Sequence, residues 1–227
     1  GRSRIHASFQ IETSMTFART DYAPSSVSPL ADVRVLDMSR VYAGNALTLQ
    51  LGDFGAEVIK LEQTGVGDSL RAIRDGDVDA MCRVMARNKK SIAVNLKTQE
   101  GIRIVHDLAG TADIVVENFR PGDLERFGLS LERLQDLNPR LVIVRISGWG
   151  NSGPYAHKPG FGTLLEAFTG FAEKNGFPDS PPLLPNMGMA DAVCGLTGAI
   201  AALVALREAQ RAGGKGQKKK AAAKKAE

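Results

Sequence analysis

Asp191 is the carboxylate in this sequence best placed to do chemistry. It lies in the segment 187–195, which is otherwise apolar or small and begins a helical pattern. An aspartate is rarely buried without a partner. In the first turn of a helix it complements the helix dipole, and there it also tends to stay ionised, which suits a nucleophile. The residues alone leave the two interpretations, helix cap and nucleophile, equally open.

Three polar segments could bind a ligand, because ligands of open α/β sheets bind outside the carboxyl ends of the strands. Segment 39–44 has small residues before a helix N-terminus, which can donate N–H groups to an anion. Segment 62–71 is glycine-containing but lacks GxGxxG spacing, since residue 70 is leucine. Segment 87–90 carries three cations that could bind a phosphate. Judged singly, each is more readily explained as a turn or a solvated charge cluster.

Other catalytic arrangements have little support in the sequence. The three histidines, His6, His106 and His157, are scattered, and no GxSxG motif occurs. The two cysteines, Cys82 and Cys194, are far apart and lack CxxC spacing, which disfavours a zinc site or a disulfide framework. We therefore expect no metal and a reducing compartment, the cytoplasm in preference to the mitochondrion.

The elements that must position these residues alternate along the chain. Near-continuous apolar strands separated by helices indicate an α/β fold, with a Rossmann-like parallel sheet covered by helices. A glycine- and proline-rich stretch and a short helix over 163–173 precede a final helix over 187–211. The predicted strands are 33–36, 56–61, 91–96, 114–116 and 141–146, and the predicted helices between them are 43–54, 99–109, 122–127 and 130–137.

The net charge of +4 comes from one end of the chain. Residues 215–227 hold six lysines and one glutamate, which leaves 23 basic against 24 acidic residues in the rest. A nearly neutral body argues against nucleic-acid binding. The richest apolar stretch, 193–206, is interrupted by Gly195 and Gly198, so we expect a buried helix and no membrane span.

Three regions follow from these patterns. Residues 1–28 are expected to form a disordered or non-native tail, with Met15 as a native start, and an Arg/Ser-rich transit peptide is the alternative. Residues 29–214 are the expected globular body. Residues 215–227 are expected to be a solvated lysine-rich tail.

An ordered succession of short blocks resembles the class III CoA-transferases, also called the CaiB/BaiF family. The resemblance covers about residues 29–217. Any one block is weak evidence, and their common order is what makes the resemblance specific. The main blocks are Val33–Asp37, Ala43–Gly44, Leu51–Glu62, Gly67–Asp68, Asn88–Ile92, Val116–Gly122, Asn138–Leu141, Ser147–Gly150 and Gly153–Pro154.

The resemblance implies a mechanism for Asp191. In the family, an aspartate in the matching block attacks an acyl-CoA thioester and passes through an anhydride and an aspartyl-CoA thioester. The CoA then moves to a free carboxylic acid. Coenzyme A is thus a substrate, with no permanently bound cofactor, and acyl-CoA and a small acid are the partners. The implied CoA-binding residues are Val41, Ala43, Asn88, Lys89, Lys90, Asn118, Phe119 and Arg126.

The sequence departs from the family pattern at several positions. Asn45 stands where the family has proline, and Gln63-Thr64 stand where some members have arginine. Gly-Phe-Gly, ending at Gly162, replaces a common Gly-Phe-Asp. Phe161 stands where α-methylacyl-CoA racemases of the same family carry a histidine, which favours transfer over racemisation.

The resemblance also concerns the whole chain. Family members are roughly twice as long and form interlocked dimers. We therefore expect the N-terminal portion of the large domain, with the C-terminal half missing, and a homodimer when full length. An inactive fragment of a transferase is the remaining alternative.

Overall fold

A computed structural model describes residues 26–73 and 79–211. Of the two predicted tails, only residues 26–28 fall within the described part. The five strands are β1 (Arg34–Asp37), β2 (Glu57–Gln63), β3 (Lys89–Val94), β4 (Ile114–Glu117) and β5 (Val142–Arg145). The eight α-helices of this part are α1 (Ala43–Asp53), α2 (Ala80–Ala86), α3 (Gln99–Thr111), α4 (Asp123–Arg126), α5 (Leu131–Leu137), α6 (Gly162–Phe168), α7 (Phe171–Lys174) and α8 (Met189–Gln210).

The strands form one parallel sheet in the order β3-β2-β1-β4-β5. The chain first moves outward from β1 to β3 and then crosses back to β4, so the order reverses beside β1. Such a reversal opens a crevice at the carboxyl ends of the strands. The predicted α/β fold with a Rossmann-like parallel sheet is confirmed.

Alternating side chains of each strand build two separate cores, because successive residues point to opposite faces of a sheet. Val35 and Ile114 lie on the face covered by α1 and α8. Leu36 and Val115 lie on the opposite face, which α3 and α5 cover. All four residues are fully buried. The sheet is thus covered on both faces, as its near-continuous apolar strands predict.

Small residues let α1 and α8 approach closely. A Cβ atom placed on Gly195 would lie 2.7 Å from the Ala46 Cβ and 2.9 Å from the Ala43 carbonyl oxygen. The glycine that interrupts the apolar stretch in the sequence is therefore a packing requirement. This contact fixes the start of α8, and with it Asp191, against the N-terminus of α1.

We expect Gly195→Ala to lower the free energy of unfolding by about 1–3 kcal/mol, because its methyl group must push two helices apart. Gly110→Ala in α3 is the matched control, since a Cβ there meets nothing within 4 Å. That change should raise stability by up to about 1 kcal/mol, as alanine favours a helix over glycine. Urea unfolding of the full-length protein measures both. Equal effects of the two substitutions would contradict the close packing.

Three details differ from the sequence-based expectations. Helix α2 was not predicted, and the single helix expected over 163–173 is split at Gly170, whose backbone is left-handed (φ 77°). The third detail is the apolar stretch 193–206, in which Gly195 and Gly198 do not interrupt the helix. Helix α8 has 22 residues, and its most apolar 18-residue window has a mean hydropathy of 1.9, which is enough by length and composition to cross a bilayer. In this fold one face of α8 instead packs on α1 and the sheet.

Candidate active site

Asp191 lies in the first turn of α8 and faces the N-terminus of α6. The Gly162 backbone N–H lies near the Asp191 carboxylate and favours the ionised form. A Cβ atom on Gly162 would overlap the Asp191 Oδ2. The glycine that departs from the common Gly-Phe-Asp pattern thus makes room for the carboxylate. Both conditions expected at a helix start, a backbone donor and the helix dipole, stabilise the ionised form of Asp191.

A second carboxylate lies beside Asp191. Glu166, one helical turn after Gly162 on α6, is 3% exposed, and its Oε1 accepts a hydrogen bond from the Ala190 N–H at 2.8 Å. Burial raises the pKa of Asp191, and the nearby charge of Glu166 raises it further, against the lowering effect of the Gly162 N–H. A carboxylate that is partly desolvated and close to a like charge is more basic, and so more reactive toward a carbonyl, than one in water.

The loop between β1 and α1 is held by buried charges. The Lys60 ammonium donates to the Ser39 carbonyl and pairs with Asp68 at 3.0 Å. The Asp68 carboxylate accepts from the Val41 N–H at 3.0 Å and from the Asn45 side chain at 2.9 Å. The loop therefore has little freedom to move.

Val41 has a left-handed backbone (φ 63°), which is costly for a β-branched residue. The Asn45 side chain donates to the Val41 carbonyl at 2.8 Å, on the other side of the same residue. Asn45, which replaces the family's proline, thus helps to impose this conformation together with Asp68. Strain of this kind is common at ligand-binding loops.

A cavity of about 390 Å³ opens at the carboxyl ends of the strands, where the sheet order reverses. Residues that follow β1, β2, β3 and β4 line it. The Arg40 guanidinium lies over the Phe119 ring, 5.1 Å from its centroid. A flat ring, two cations and several backbone groups suit a nucleotide. The lining includes Arg40, Gln63, Asn95, Lys97, Phe119 and Asp123.

The loop between β1 and α1 connects this cavity to Asp191. Arg40 lines the cavity, and two residues later the Tyr42 ring lies against Gly188: a Cβ on that glycine would be 3.6 Å from the ring and 3.7 Å from the Asp191 Oδ2. An extended ligand bound in the cavity could follow residues 40–42 to the carboxylate. Asp191 and the cavity therefore belong to one candidate site.

Most of the predicted coenzyme A residues surround this loop and cavity. Ala43 is buried at the start of α1. The Asn118 side chain exchanges two hydrogen bonds with the Arg40 backbone, at 2.8 and 2.7 Å, and so clamps the loop after β1 to the loop after β4. Phe119 lines the cavity, and the exposed Arg126 pairs with Asp123 on its wall. Their contacts with coenzyme A stay predictions.

The segment 87–90 lies elsewhere, and its assignment to a carboxyl-end loop is wrong. Lys89 pairs with Val58 at the start of two parallel strands, so this segment lies at the amino ends of the sheet. The Lys89 ammonium is buried and reaches the Asp37 carboxylate at 3.1 Å. Lys90 is exposed and pairs with Glu57, and Asn88 (φ 60°) bonds Asp53. Their contact with coenzyme A stays a prediction, but Lys89 would have to leave its buried partners to make it.

Sequence reasoning missed Asn95 and Lys97, which follow β3 and line the cavity. The signal was present, since residues just after a buried strand of a parallel sheet lie at its carboxyl edge. Phosphate binding was predicted instead for the run of cations that precedes the same strand.

A larger groove of about 1390 Å³ opens on the other side of Asp191's helix, along β5, α6 and α8. Glu166 and Cys194 line it close to the carboxylate. Burial raises the pKa of the Cys194 thiol, and the charge of Asp191 raises it further. Helix α8 also carries an exposed apolar stripe, of which Val193 and Val204 line the groove and Leu196 and Ile200 do not.

Comparison with known proteins places this geometry in context. A family model described as CoA-transferase family III matches residues 30–225. The chain is 46% identical over 188 residues to the succinyl-CoA–D-citramalate CoA-transferase of Chloroflexus aurantiacus, covering 82% of this chain and 47% of that protein. It is 39% identical to the mouse succinyl-CoA:glutarate CoA-transferase, covering 83% of this chain and 44% of that protein.

A solved structure agrees with the fold. The crystal structure of a CaiB/BaiF family protein from Brucella suis superposes with a TM-score of 0.80 at 36% identity, covering 84% of this chain and 52% of that one. The chain thus spans about half the length of the proteins it matches.

Proposed function

The chain belongs to CoA-transferase family III, and we propose that the protein it comes from moves coenzyme A from an acyl-CoA thioester to a free carboxylic acid, with Asp191 as the covalent nucleophile. The observation that carries the proposal is the Asp191 carboxylate at the start of α8. Its pKa is raised, and it is connected by one rigid loop to a cavity suited to a nucleotide.

The proposed chemistry conserves every atom and needs no external proton. An Asp191 oxygen attacks the thioester carbon, the carbon–sulfur bond breaks, and CoA leaves as a thiolate. The thiolate attacks the Asp191 carbonyl of the resulting anhydride and releases the donor acid, which leaves an aspartyl-CoA thioester. The acceptor carboxylate attacks that thioester and expels the thiolate, which gives a second anhydride. The thiolate then attacks the acceptor's acyl carbon in this anhydride, which forms the new acyl-CoA and restores the Asp191 carboxylate. Covalent catalysis divides one difficult exchange into easier steps.

The acids of the relatives suggest the substrate class. The relatives from Chloroflexus aurantiacus and mouse are named for succinyl-CoA with citramalate and with glutarate. We propose that the donor is the CoA thioester of a dicarboxylic acid and that the acceptor is a free dicarboxylic acid. Incubating the full-length protein with succinyl-CoA and a panel of mono- and dicarboxylic acids should yield new acyl-CoA esters by mass spectrometry. If no acid of the panel accepts CoA from succinyl-CoA, the proposed function with dicarboxylic substrates fails.

Racemisation remains the weaker alternative, because it needs a second base. The residue before Gly162 is Phe161, which is 66% exposed and has no titratable group.

We also propose a cytoplasmic homodimer for the full-length protein. The exposed apolar stripe of α8 is consistent with burial in an assembly.

The cavity should bind the nucleotide part of coenzyme A through Lys97. We expect Lys97→Met to raise the KM for acyl-CoA about tenfold with little change in kcat, because a phosphate contact distant from the reacting carbon contributes equally to substrate and transition state. Steady-state kinetics of the full-length protein measures both constants. Lys174→Met, which removes an exposed lysine of α7, is the control.

Lys90→Met decides between the two edges of the sheet. If the sequence-based assignment of Lys90 were correct, this substitution would raise the KM and Lys97→Met would leave it unchanged. That pattern would contradict the placement of the nucleotide in the carboxyl-end cavity.

A further inference from the structure

We infer that Glu166 is a positioning residue for Asp191, which orients the first turn of α8 with one carboxylate oxygen and increases the reactivity of the nucleophile through its own negative charge. The inference rests on the proposed function, since it concerns the same nucleophile.

The positioning contact is short and buried. The Glu166 Oε1 accepts from the Ala190 N–H at 2.8 Å, so it satisfies one of the free N–H groups at the start of α8. The neighbouring peptide carries Asp191. The backbone of Gly162, one turn earlier on α6, lies against the Asp191 carboxylate itself. One face of α6 therefore holds two successive residues of α8, and the carboxylate has little freedom to turn away.

The second oxygen points to a role beyond capping. The Glu166 Oε2 is buried and has no hydrogen-bond partner among the described residues. A buried carboxylate oxygen without a donor is costly, and a glutamine could form the Ala190 contact without the charge. The negative charge of Glu166 acts on the neighbouring Asp191 carboxylate and raises its pKa.

Few other charged groups lie near Asp191 to counter the effect of Glu166 on its pKa. The groups that face Asp191 from neighbouring elements are Glu166 of α6, Tyr42 before α1 and Cys194 of α8 itself. Among the described residues no cation is a cause of the shift at Asp191. The reactivity of the nucleophile is thus set by desolvation, by Glu166 and by the Gly162 N–H.

Glu166→Gln separates the charge from the hydrogen bond. The amide oxygen can still accept from Ala190, but the negative charge is lost. The acid limb of kcat/KM should move to lower pH by about one unit, because the Asp191 carboxylate then ionises more easily. The plateau rate of anhydride formation should fall roughly threefold, since nucleophilicity decreases more slowly than basicity.

Glu166→Asp is the complementary variant, which keeps a charge but shortens the reach to Ala190. It should lower kcat while the acid limb moves less than in Glu166→Gln. Glu173→Gln, at an exposed position of α7, controls for the loss of one negative charge and should leave both unchanged. An unmoved acid limb in a folded, active Glu166→Gln protein would overturn the charge role.

The test first requires that the wild-type protein forms an adduct at Asp191 with succinyl-CoA. If that adduct is absent, the proposed function fails. If it forms and the Glu166→Gln profile matches wild type, only the role of Glu166 fails.

Discussion

Replacing Asp191 by asparagine should abolish CoA transfer, with a loss in kcat of at least roughly a thousandfold. An amide oxygen is a poor nucleophile and cannot form the anhydride, so the divided reaction path is lost. Initial rates of the full-length Asp191→Asn protein with a donor and acceptor pair that the wild type accepts measure the loss. A residual rate within tenfold of wild type would show that Asp191 is not the nucleophile.

The same substitution should not weaken the fold. The pKa of Asp191 is raised above its ordinary value by burial and by Glu166, so the native state holds its proton more tightly than the unfolded state. Stability from this group is therefore present below its ordinary pKa and lost as the pH rises through the native value. At neutral pH, asparagine removes a penalty, and Asp191→Asn should unfold at an equal or higher urea concentration than wild type.

Replacing Asp37 by asparagine should have the largest effect on stability, about 3–5 kcal/mol at neutral pH. The Asp37 side chain is 0% exposed and faces two buried ammonium groups, Lys60 at 3.5 Å and Lys89 at 3.1 Å. Removing its charge leaves the two cations close together with one fewer anion. Urea unfolding of the full-length protein measures the change.

Glu57→Gln is the matched control for the loss of a surface carboxylate. Glu57 is partly exposed and pairs with Arg34 and Lys90, each at 2.6 Å. Exposed pairs contribute little, so the loss should be below about 1 kcal/mol. Similar losses for the two variants would contradict the view that the buried ion pairs stabilise the loop after β1.

The pH dependence of the Asp37 effect has a defined sign. Burial opposes ionisation, but Lys60 and Lys89 together with the hydrogen bonds from Ser39 and Thr48 outweigh it, and the pKa of Asp37 lies below its ordinary value of 3.8. Its contribution is present above that value and is lost as the pH falls toward the native pKa. The difference in stability between wild type and Asp37→Asn should therefore narrow in acid.

The fold was predictable because it is encoded locally. Apolar β-branched runs such as Ile114–Val116 and the glycine at position 128 mark strands and helix ends through short-range patterns. Burial of both faces of the sheet follows from the lack of alternation within each strand. Helix α2 carries a weaker pattern, since it is short and half exposed.

The site was predictable only in part. The apolar surroundings of Asp191 mark it as a candidate. Only the ordered family blocks favour a nucleophile over a helix cap. The buried position of the Lys89 side chain could not be predicted. Side chains of successive strand residues point to opposite faces, and the sequence does not show which cation of the run is buried. The pairing of Glu166 with Ala190 joins residues 24 positions apart, and no local pattern shows it.

Trapping of the covalent intermediate tests the central claim most directly. Full-length protein is mixed with succinyl-CoA, treated with hydroxylamine, digested and mapped by mass spectrometry. Attack of hydroxylamine on an anhydride or thioester at Asp191 should leave a hydroxamate on that side chain, and none should form without the acyl-CoA donor. A hydroxamate at a different carboxylate, with Asp191 unmodified during turnover, would contradict the assignment of the nucleophile.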